Sequence, residues 1–343
     1  MAYLQAISYY YPEKCLTNED ITRLHPEWSA DKISGKTGIY KRYLSEEDET
    51  AVDMAEKAAQ RLFDEYKIDK GTIDFIILCT QSPDYYLPTS ACILQGRLGL
   101  SETCGAFDYN LGCSGYVYGL GIAKGLIETG QAQNVLLITS ETYTKYLHPE
   151  DKSCQTIFGD AAAASLITAD KHSGWLNAEI LKSAYKTIGA QYRDLIVENG
   201  ASRRPKVADE KVELNEDGSF KYCANNLFMD GKSIFDFSSM TVPQVVEQTL
   251  KKNEITKDDV DWYIFHQANK FMLNFARMRC GAPQEKFVVD LEDGGNTVSS
   301  TIPIAMKRMM DNNRLQQGQT LLLCGFGVGL SIAGVTLKIL KVV

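Results

Sequence analysis

Histidine is scarce in this chain: only four occur, at positions 25, 148, 172 and 266. Nine cysteines are present, but none forms a CxxC pair and their spacing is irregular. The cysteine pattern argues against a structural zinc site, and no metal is expected. The odd cysteine count fits free thiols in a reducing compartment better than a disulfide framework. An excess of positive charge is also missing. The net charge of −8 argues against nucleic acid as a partner. No apolar run approaches the roughly 20 residues that span a bilayer. The start, MAYLQAISYYYPEK, lacks the charged, apolar and cleavage regions of a signal peptide. These absences lead us to expect a cytoplasmic protein with no membrane span.

What the chain does have is core material in a repeating order. Its 343 residues are 44% hydrophobic, enough for two medium domains or one large double one. Residues 50–68 read as an amphipathic helix, with Thr50 as cap and Asp53 three residues on. IDFIILCT (73–80) reads as a buried strand, 88–100 as a helix, FDYNL (107–111) as a short strand and 114–129 as a helix. NVLLITSE (134–141) and AAAASLIT (161–168) read as further strands. The second half repeats the order: helix 241–253, strand 260–266, helix 269–281, strand FVVDL (287–291), helix 301–313, strand 320–327. TIDFIILCTQS parallels DVDWYIFHQAN, and AQNVLLITSE parallels QGQTLLLCGF. Such an internal duplication predicts mixed, mostly parallel sheets covered by helices. Residues 186–222 are polar and charged and read as a surface excursion between the halves.

Three stretches carry chemistry. In LGCSG, Cys113 stands where a strand becomes a helix. A helix start lowers a thiol's pKa, and small neighbours admit a substrate carbonyl. A lone cysteine in such a place is more often simply buried. In YIFHQAN, His266 follows a buried strand, the edge at which catalytic groups of parallel sheets gather; the alternative is a core histidine with a satisfied hydrogen bond. In LEDGGNTVSS, Asn296 follows FVVDL as Cys113 follows FDYNL. The repeat makes Cys113 and Asn296 near-equivalents and sets His266 opposite Gln81 or thereabouts. Pseudo-symmetry then brings a nucleophile and two polar partners to the junction of the halves. In CGFGVGLSIAG (324–334) a glycine-rich backbone can offer N–H groups to an oxyanion, or simply turn the chain.

The ordered set GCSG, HQAN, GNT and a late FGxG resembles the β-ketoacyl-acyl-carrier-protein synthase III family of the thiolase-like superfamily, over essentially the whole length. SGKTGI (34–39), IFGDAAAA (157–164) and FMDGKSIF (228–235) also resemble it. The resemblance implies an α/β, thiolase-like fold, five-layered αβαβα. Its two duplicated halves would be residues 1–170, carrying Cys113, and 171–343, carrying His266 and Asn296. It also implies a homodimer, no cofactor, and a decarboxylative Claisen condensation giving a 3-oxoacyl-carrier product in fatty acid initiation. Cys113 would take an acyl group from acyl-coenzyme A or an acyl carrier. Malonyl on acyl carrier protein would lose carbon dioxide, its enolate held by His266 and Asn296. The N–H groups of Cys113 and one near Val328 would form an oxyanion hole, with Phe326 and Gly327 lining the site.

Gly231 and Asn269 match positions that contact the pantetheine arm. Lys32, Lys36 and Lys152 stand where the family usually has an aromatic residue and arginines that hold the coenzyme A nucleotide. Lysine neither stacks nor binds phosphate bidentately. Phe271, after Lys270, stands where an arginine normally helps dock the carrier. Leu87 falls where the family places a residue that reaches into the partner subunit's acyl pocket, or it is ordinary dimer packing. Three other readings stay open: a specialised ketosynthase serving another primer, an acyltransferase or thioesterase on the same fold, and a non-catalytic partner subunit.

Overall fold

The structure is a computed structural model and describes residues 1–342. Helix α1 (Ala51–Tyr66) illustrates how the sequence sets an element. Thr50 accepts from the Asp53 amide, and the Asp53 carboxylate accepts from the Thr50 amide at 2.7 Å. A cap of this kind contributes about 1 kcal/mol. Val52, Ala55, Ala59, Leu62 and Phe63 then fall on one buried face.

Among the described residues the main sheet has nine strands. They are β1 (Tyr3–Tyr10), β2 (Phe75–Cys79), β3 (Gly105–Tyr109), β4 (Asn134–Glu141), β5 (Ala161–Thr168), β6 (Asn177–Thr187), β7 (Trp262–Phe265), β8 (Thr320–Gly327) and β9 (Ser331–Lys341). The first half runs β1-β5-β4-β2-β3 and the second β6-β9-β8-β7. The directions repeat. β1/β5 and β5/β4 are antiparallel and β4/β2 parallel, as β6/β9 and β9/β8 are antiparallel and β8/β7 parallel. The halves join through a short antiparallel contact, Tyr3 with Glu179 and Leu4 with Ala178.

The duplication reaches single side chains. Asp74 accepts from the Gln133 and Asn134 amides at 2.7 and 3.0 Å where β4 begins, and Asp261 accepts from the Thr320 amide at 2.7 Å where β8 begins. Helices α1 and α2 (Ser90–Leu98) cover the outer face of the first half. Helices α4 (Gly231–Lys252) and α5 (Lys270–Cys280) cover the second. Between them lie α3 (Gly115–Glu128) and α6 (Thr301–Asp311), in a core that draws Leu4, Ile77 and Val135 from one half and Ile264, Leu321 and Val335 from the other. That makes the five layers of the thiolase-like arrangement. Among the described residues no helix is long and apolar enough to cross a membrane.

Three expected elements differ. FVVDL is not a strand. It keeps one parallel bridge, Phe287 to Tyr263, and then Gln267 takes the place of a neighbouring strand. The Gln267 amide donates to the Val288 carbonyl at 3.4 Å and accepts from the Asp290 N–H at 2.7 Å. The helix read at 241–253 begins at Gly231, where the Asp230 carboxylate accepts from the Ser233 amide. The excursion is more than surface loop: Leu195–Val197 pairs with Leu227–Met229, and Leu195 is 5% exposed.

Candidate active site

The junction of the halves encloses a cavity of about 290 Å³ whose lining includes Cys113, His266, Asn296, Phe326 and Gly327. Cys113 arrives just before α3 and is 6% exposed. It packs against the end of β8. A Cβ on Gly327 would stand 2.8 Å from the Cys113 sulfur, so only glycine leaves the thiol its space.

The helix start does not win at this thiol. Burial pushes its pKa up to about 12, and the nearby Glu141 carboxyl adds to the rise. The main-chain N–H groups of Cys113 and Val328 pull the other way, favouring negative charge at the sulfur. The resting group is therefore a neutral thiol, beside two amides aimed at a site where an anion can form.

His266, 2% exposed, follows β7, and its amide donates to the Cys324 carbonyl at 2.8 Å. Its Nδ1 lies 2.8 Å from Thr301 Oγ1. The Thr301 hydroxyl lies 3.2 Å from the Val298 carbonyl. Burial drives the imidazole pKa down to about 3, opposed by the Val298 carbonyl. The ring is therefore neutral, with Nδ1 engaged and Nε2 left for the cavity.

The Asn296 backbone is stitched to the segment before β5: its N–H donates to the Ile157 carbonyl at 2.9 Å, and its carbonyl accepts from the Gly159 amide at 3.0 Å. Its side-chain oxygen accepts from the Val298 amide at 2.9 Å. That bond fixes the amide's orientation and frees the NH₂ group to donate. Val298 thus serves both partners, one with its N–H and one with its C=O. It does so at φ 56°, a costly conformation for a β-branched residue, of order 1–3 kcal/mol.

Phe326 stands edge-on to His266 at 5.6 Å between ring centroids. Lys36, Gly231, Asn269 and Phe271 also line the cavity. Asn269 additionally caps α5, accepting from the Met272 amide at 2.9 Å. Phe271 is 59% exposed and stacks on Phe235 at 5.4 Å. Lys32 and Lys152 are not part of the lining. Lys152 is ion-paired with Glu27. Leu87 is 84% exposed, next to the exposed Tyr85 and Tyr86, and does not enter this chain's own cavity. Among the walls that sequence reading missed are Tyr143, Phe158, Leu195, Met229 and Ile234. Three of them lie inside the motif-like segments IFGDAAAA and FMDGKSIF. Tyr143 and Leu195 come from connecting segments with no pattern to mark them.

The equivalence of Cys113 and Asn296 needs correcting. Helix α3 starts from Ser114 at φ −86°, ψ −11° and α6 from Ser300 at φ −85°, ψ −10°. Counted from these starts, the partner of Cys113 is Ser299. The matched aspartates Asp74 and Asp261 likewise pair His266 with Cys79, not Gln81. The loop before α6 is longer than the one before α3, so counting forward from the strands mispairs the residues.

Comparisons with known proteins agree with this geometry. Residues 107–189 match the family described as 3-oxoacyl-[acyl-carrier-protein] synthase III, and residues 250–339 match its C-terminal counterpart. The chain is 33% identical over 329 residues to the beta-ketoacyl-[acyl-carrier-protein] synthase III of Methylococcus capsulatus, covering 96% of each. A crystal structure of a 3-oxoacyl-(acyl-carrier-protein) synthase III superposes with a TM-score of 0.94 at 44% identity, covering 98% of this chain and 99% of that one. The priming β-ketosynthase of a polyketide biosynthetic pathway superposes with a TM-score of 0.83 at 26% identity, covering 99% and 96%. With matches of this extent on both halves, and a thiol, an imidazole and an amide gathered at their junction, the chain belongs to the β-ketoacyl-acyl-carrier-protein synthase III family of condensing acyltransferases.

Proposed function

We propose that the protein joins an acyl primer to malonyl-acyl carrier protein by decarboxylative Claisen condensation, through an acyl-Cys113 intermediate, at the start of fatty acid synthesis. The observation that carries the reading is the single cavity shared by Cys113, His266 and Asn296, with the Cys113 and Val328 amides directed at the sulfur.

Cys113 Sγ attacks the primer's thioester carbon. The leaving thiolate takes the thiol proton, and the tetrahedral oxyanion is held by the two amides. Malonyl then loses carbon dioxide, and the C–C bonding pair becomes an enolate. Asn296 donates to the enolate oxygen through its side-chain NH₂. His266 donates through Nε2–H, in the tautomer whose Nδ1 accepts from Thr301. Because the imidazole pKa is near 3, the ring acts here as a neutral donor. The carbanion attacks the acyl carbon, forming the new C–C bond. Cys113 sulfur leaves and is reprotonated from solvent.

Gly231, Asn269 and Lys36 line the route of the pantetheine arm, and Phe271 stands at its mouth. The working form is a homodimer, which would cover the exposed run Tyr85–Tyr86–Leu87. In it Leu87 borders the partner's acyl pocket and admits a primer longer than acetyl. A specialised ketosynthase with another primer is the second reading. It is favoured by Lys152, which is paired to Glu27 rather than free for a nucleotide phosphate.

Intact-protein mass after incubation with acetyl, branched and octanoyl donors, each on coenzyme A and on carrier protein, tests this. An acetyl or branched adduct from coenzyme A, absent in Cys113→Ala, is the expected result. An adduct only from carrier-bound donors, or only with long chains, selects the specialised reading. No adduct from any donor overturns both.

A further inference from the structure

Two helix starts meet at the centre of the molecule, and the one behind Cys113 opens on a cavity. Each N-cap serine reaches across to the other half. Ser114 Oγ lies 2.7 Å from Ser331 Oγ, and Ser300 Oγ lies 3.4 Å from the Ala161 carbonyl oxygen. Ser331 is paired with Gly327 in β8/β9, and Ala161 with Glu141 in β5/β4. Glu141 is therefore the counterpart of Gly327, one residue on from the Phe326 that the sequence parallel sets opposite it. Cys113 faces a glycine at one end, while Ser299 faces a glutamate at the other.

That glutamate fills the twin site. Its carboxyl accepts from the Gln81 amide at 3.0 Å, from Ser82 Oγ at 3.1 Å and from Ser299 Oγ at 3.3 Å. Glu141 is 0% exposed and Ser299 1%. Beside the first bond, Ser300 Oγ lies 2.8 Å from Thr139 Oγ1 on β4. The loop that carries Asn296, Val298 and Thr301 is thereby moored to the half that carries Cys113.

We propose that Glu141 and Ser299 form a clasp that sets where Asn296 and His266 stand relative to Cys113. They are positioning residues for the carbon–carbon bond-forming half of the reaction. The assignment rests on the condensation proposed above. Acyl transfer uses Cys113 and the amides of Cys113 and Val328, none of which hangs on Ser299. Decarboxylation uses Asn296 and His266, both ordered by Val298, the residue next to Ser299.

The test takes Ser299→Ala, Ser299→Thr and Glu141→Gln in the full-length protein. It follows three readouts: acylation of Cys113, carbon dioxide release from malonyl carrier, and hydrogen exchange of the peptide spanning 291–301. In Ser299→Ala, acylation stays within about twofold. Decarboxylation falls about tenfold, as for a lost buried hydrogen bond, and exchange in that peptide speeds up. Glu141→Gln lowers decarboxylation and speeds exchange in the same direction, and Ser299→Thr restores decarboxylation. An equal loss in both half-reactions, no loss in either, or unchanged exchange overturns the clasp. If the parent protein forms no acyl-Cys113, the condensation reading fails, and the exchange arm still decides whether the loop is held from Glu141.

Discussion

The open and the closed end of this molecule are built from the same parts in the same order. Each has a strand end, a serine at a helix start, a residue before that serine, and a strand end from the opposite half. At the open end these are His266, Ser114, Cys113 and Gly327. At the closed end they are Cys79, Ser300, Ser299 and Glu141. Removing one side chain at Gly327 leaves a thiol facing a cavity, and adding a carboxyl at Glu141 fills the same space with hydrogen bonds. The asymmetry of the duplicated fold thus rests on a few side-chain volumes at one junction, not on a difference in architecture. Both ends are buried, so in both the low dielectric holds the titratable group neutral.

The largest effect should come from closing the open end. Gly327→Val inserts side-chain atoms where even a Cβ would stand 2.8 Å from the sulfur. Overpacking on this scale costs about 1–3 kcal/mol and blocks approach to the thiol. The expected outcome is at least ~100-fold slower alkylation of Cys113 by iodoacetamide, with the fold retained by circular dichroism. Alkylation at the parent rate would mean that the glycine is not what opens this end.

The two ends should also answer pH in opposite directions. His266 has a folded pKa of about 3 against 6.5 for the free group. Unfolding takes up a proton in between, so this contribution is whole above pH 6.5 and is lost as pH falls toward 3. Glu141 has a folded pKa of about 8 against 4.5. Unfolding releases its proton in between, so this contribution is whole below pH 4.5 and is lost as pH rises through 8. A tenfold difference in proton affinity between the folded and unfolded chain corresponds to ~1.4 kcal/mol, so the limits are roughly 3 kcal/mol over pH 7 to 4 for His266 and over pH 5 to 8 for Glu141. Urea unfolding should therefore find Glu141→Gln gaining on the parent protein as pH rises from 5 to 8. His266→Asn should gain on it as pH falls from 7 to 4. Parallel curves for parent and variants would remove the electrostatic half of the comparison.

Much of this was legible in the sequence, and the exceptions have physical causes. Strand and helix periods were clear where elements are long and buried, as in 134–141 and 161–168, whose bounds match. FVVDL has strand composition, but the Gln267 side chain supplies the bonds that a neighbouring strand would have made. The convergence of Cys113, His266 and Asn296 on one cavity was readable from the repeat and from the ordered motifs GCSG, HQAN and GNT. Their pairing across the repeat was not, because matching that counts forward from strands cannot see where a helix restarts. Val298 gave no signal at all: nothing marks a β-branched residue for a positive φ until its N–H and C=O are seen serving Asn296 and His266. The helix start was overrated at Cys113, because a sequence shows a dipole's position but not the depth of burial that outweighs it.

The smallest expected effect concerns the residue after each serine, which reaches the strand end of the opposite site. At the closed end it is Gly115, where any Cβ would run into the Cys79 sulfur. At the open end it is Thr301, whose hydroxyl stands 2.8 Å from His266 Nδ1. That hydroxyl can give its proton to Nδ1, leaving Nε2–H to face the cavity, or to the Val298 carbonyl at 3.2 Å, accepting from Nδ1–H instead. Thr301→Val keeps the shape and removes the choice. The Val298 carbonyl then holds the proton on Nδ1, and Nε2 loses the hydrogen with which it would steady an enolate. Decarboxylation of malonyl carrier should fall severalfold, to about tenfold at most, the weight of one buried hydrogen bond, while acylation of Cys113 is unaffected. Thr301→Ser should restore the rate, because it returns the hydroxyl. Equal rates in Thr301→Val and the parent protein would mean that the imidazole finds its working tautomer without this neighbour, and that the difference between Gly115 and Thr301 is one of packing alone.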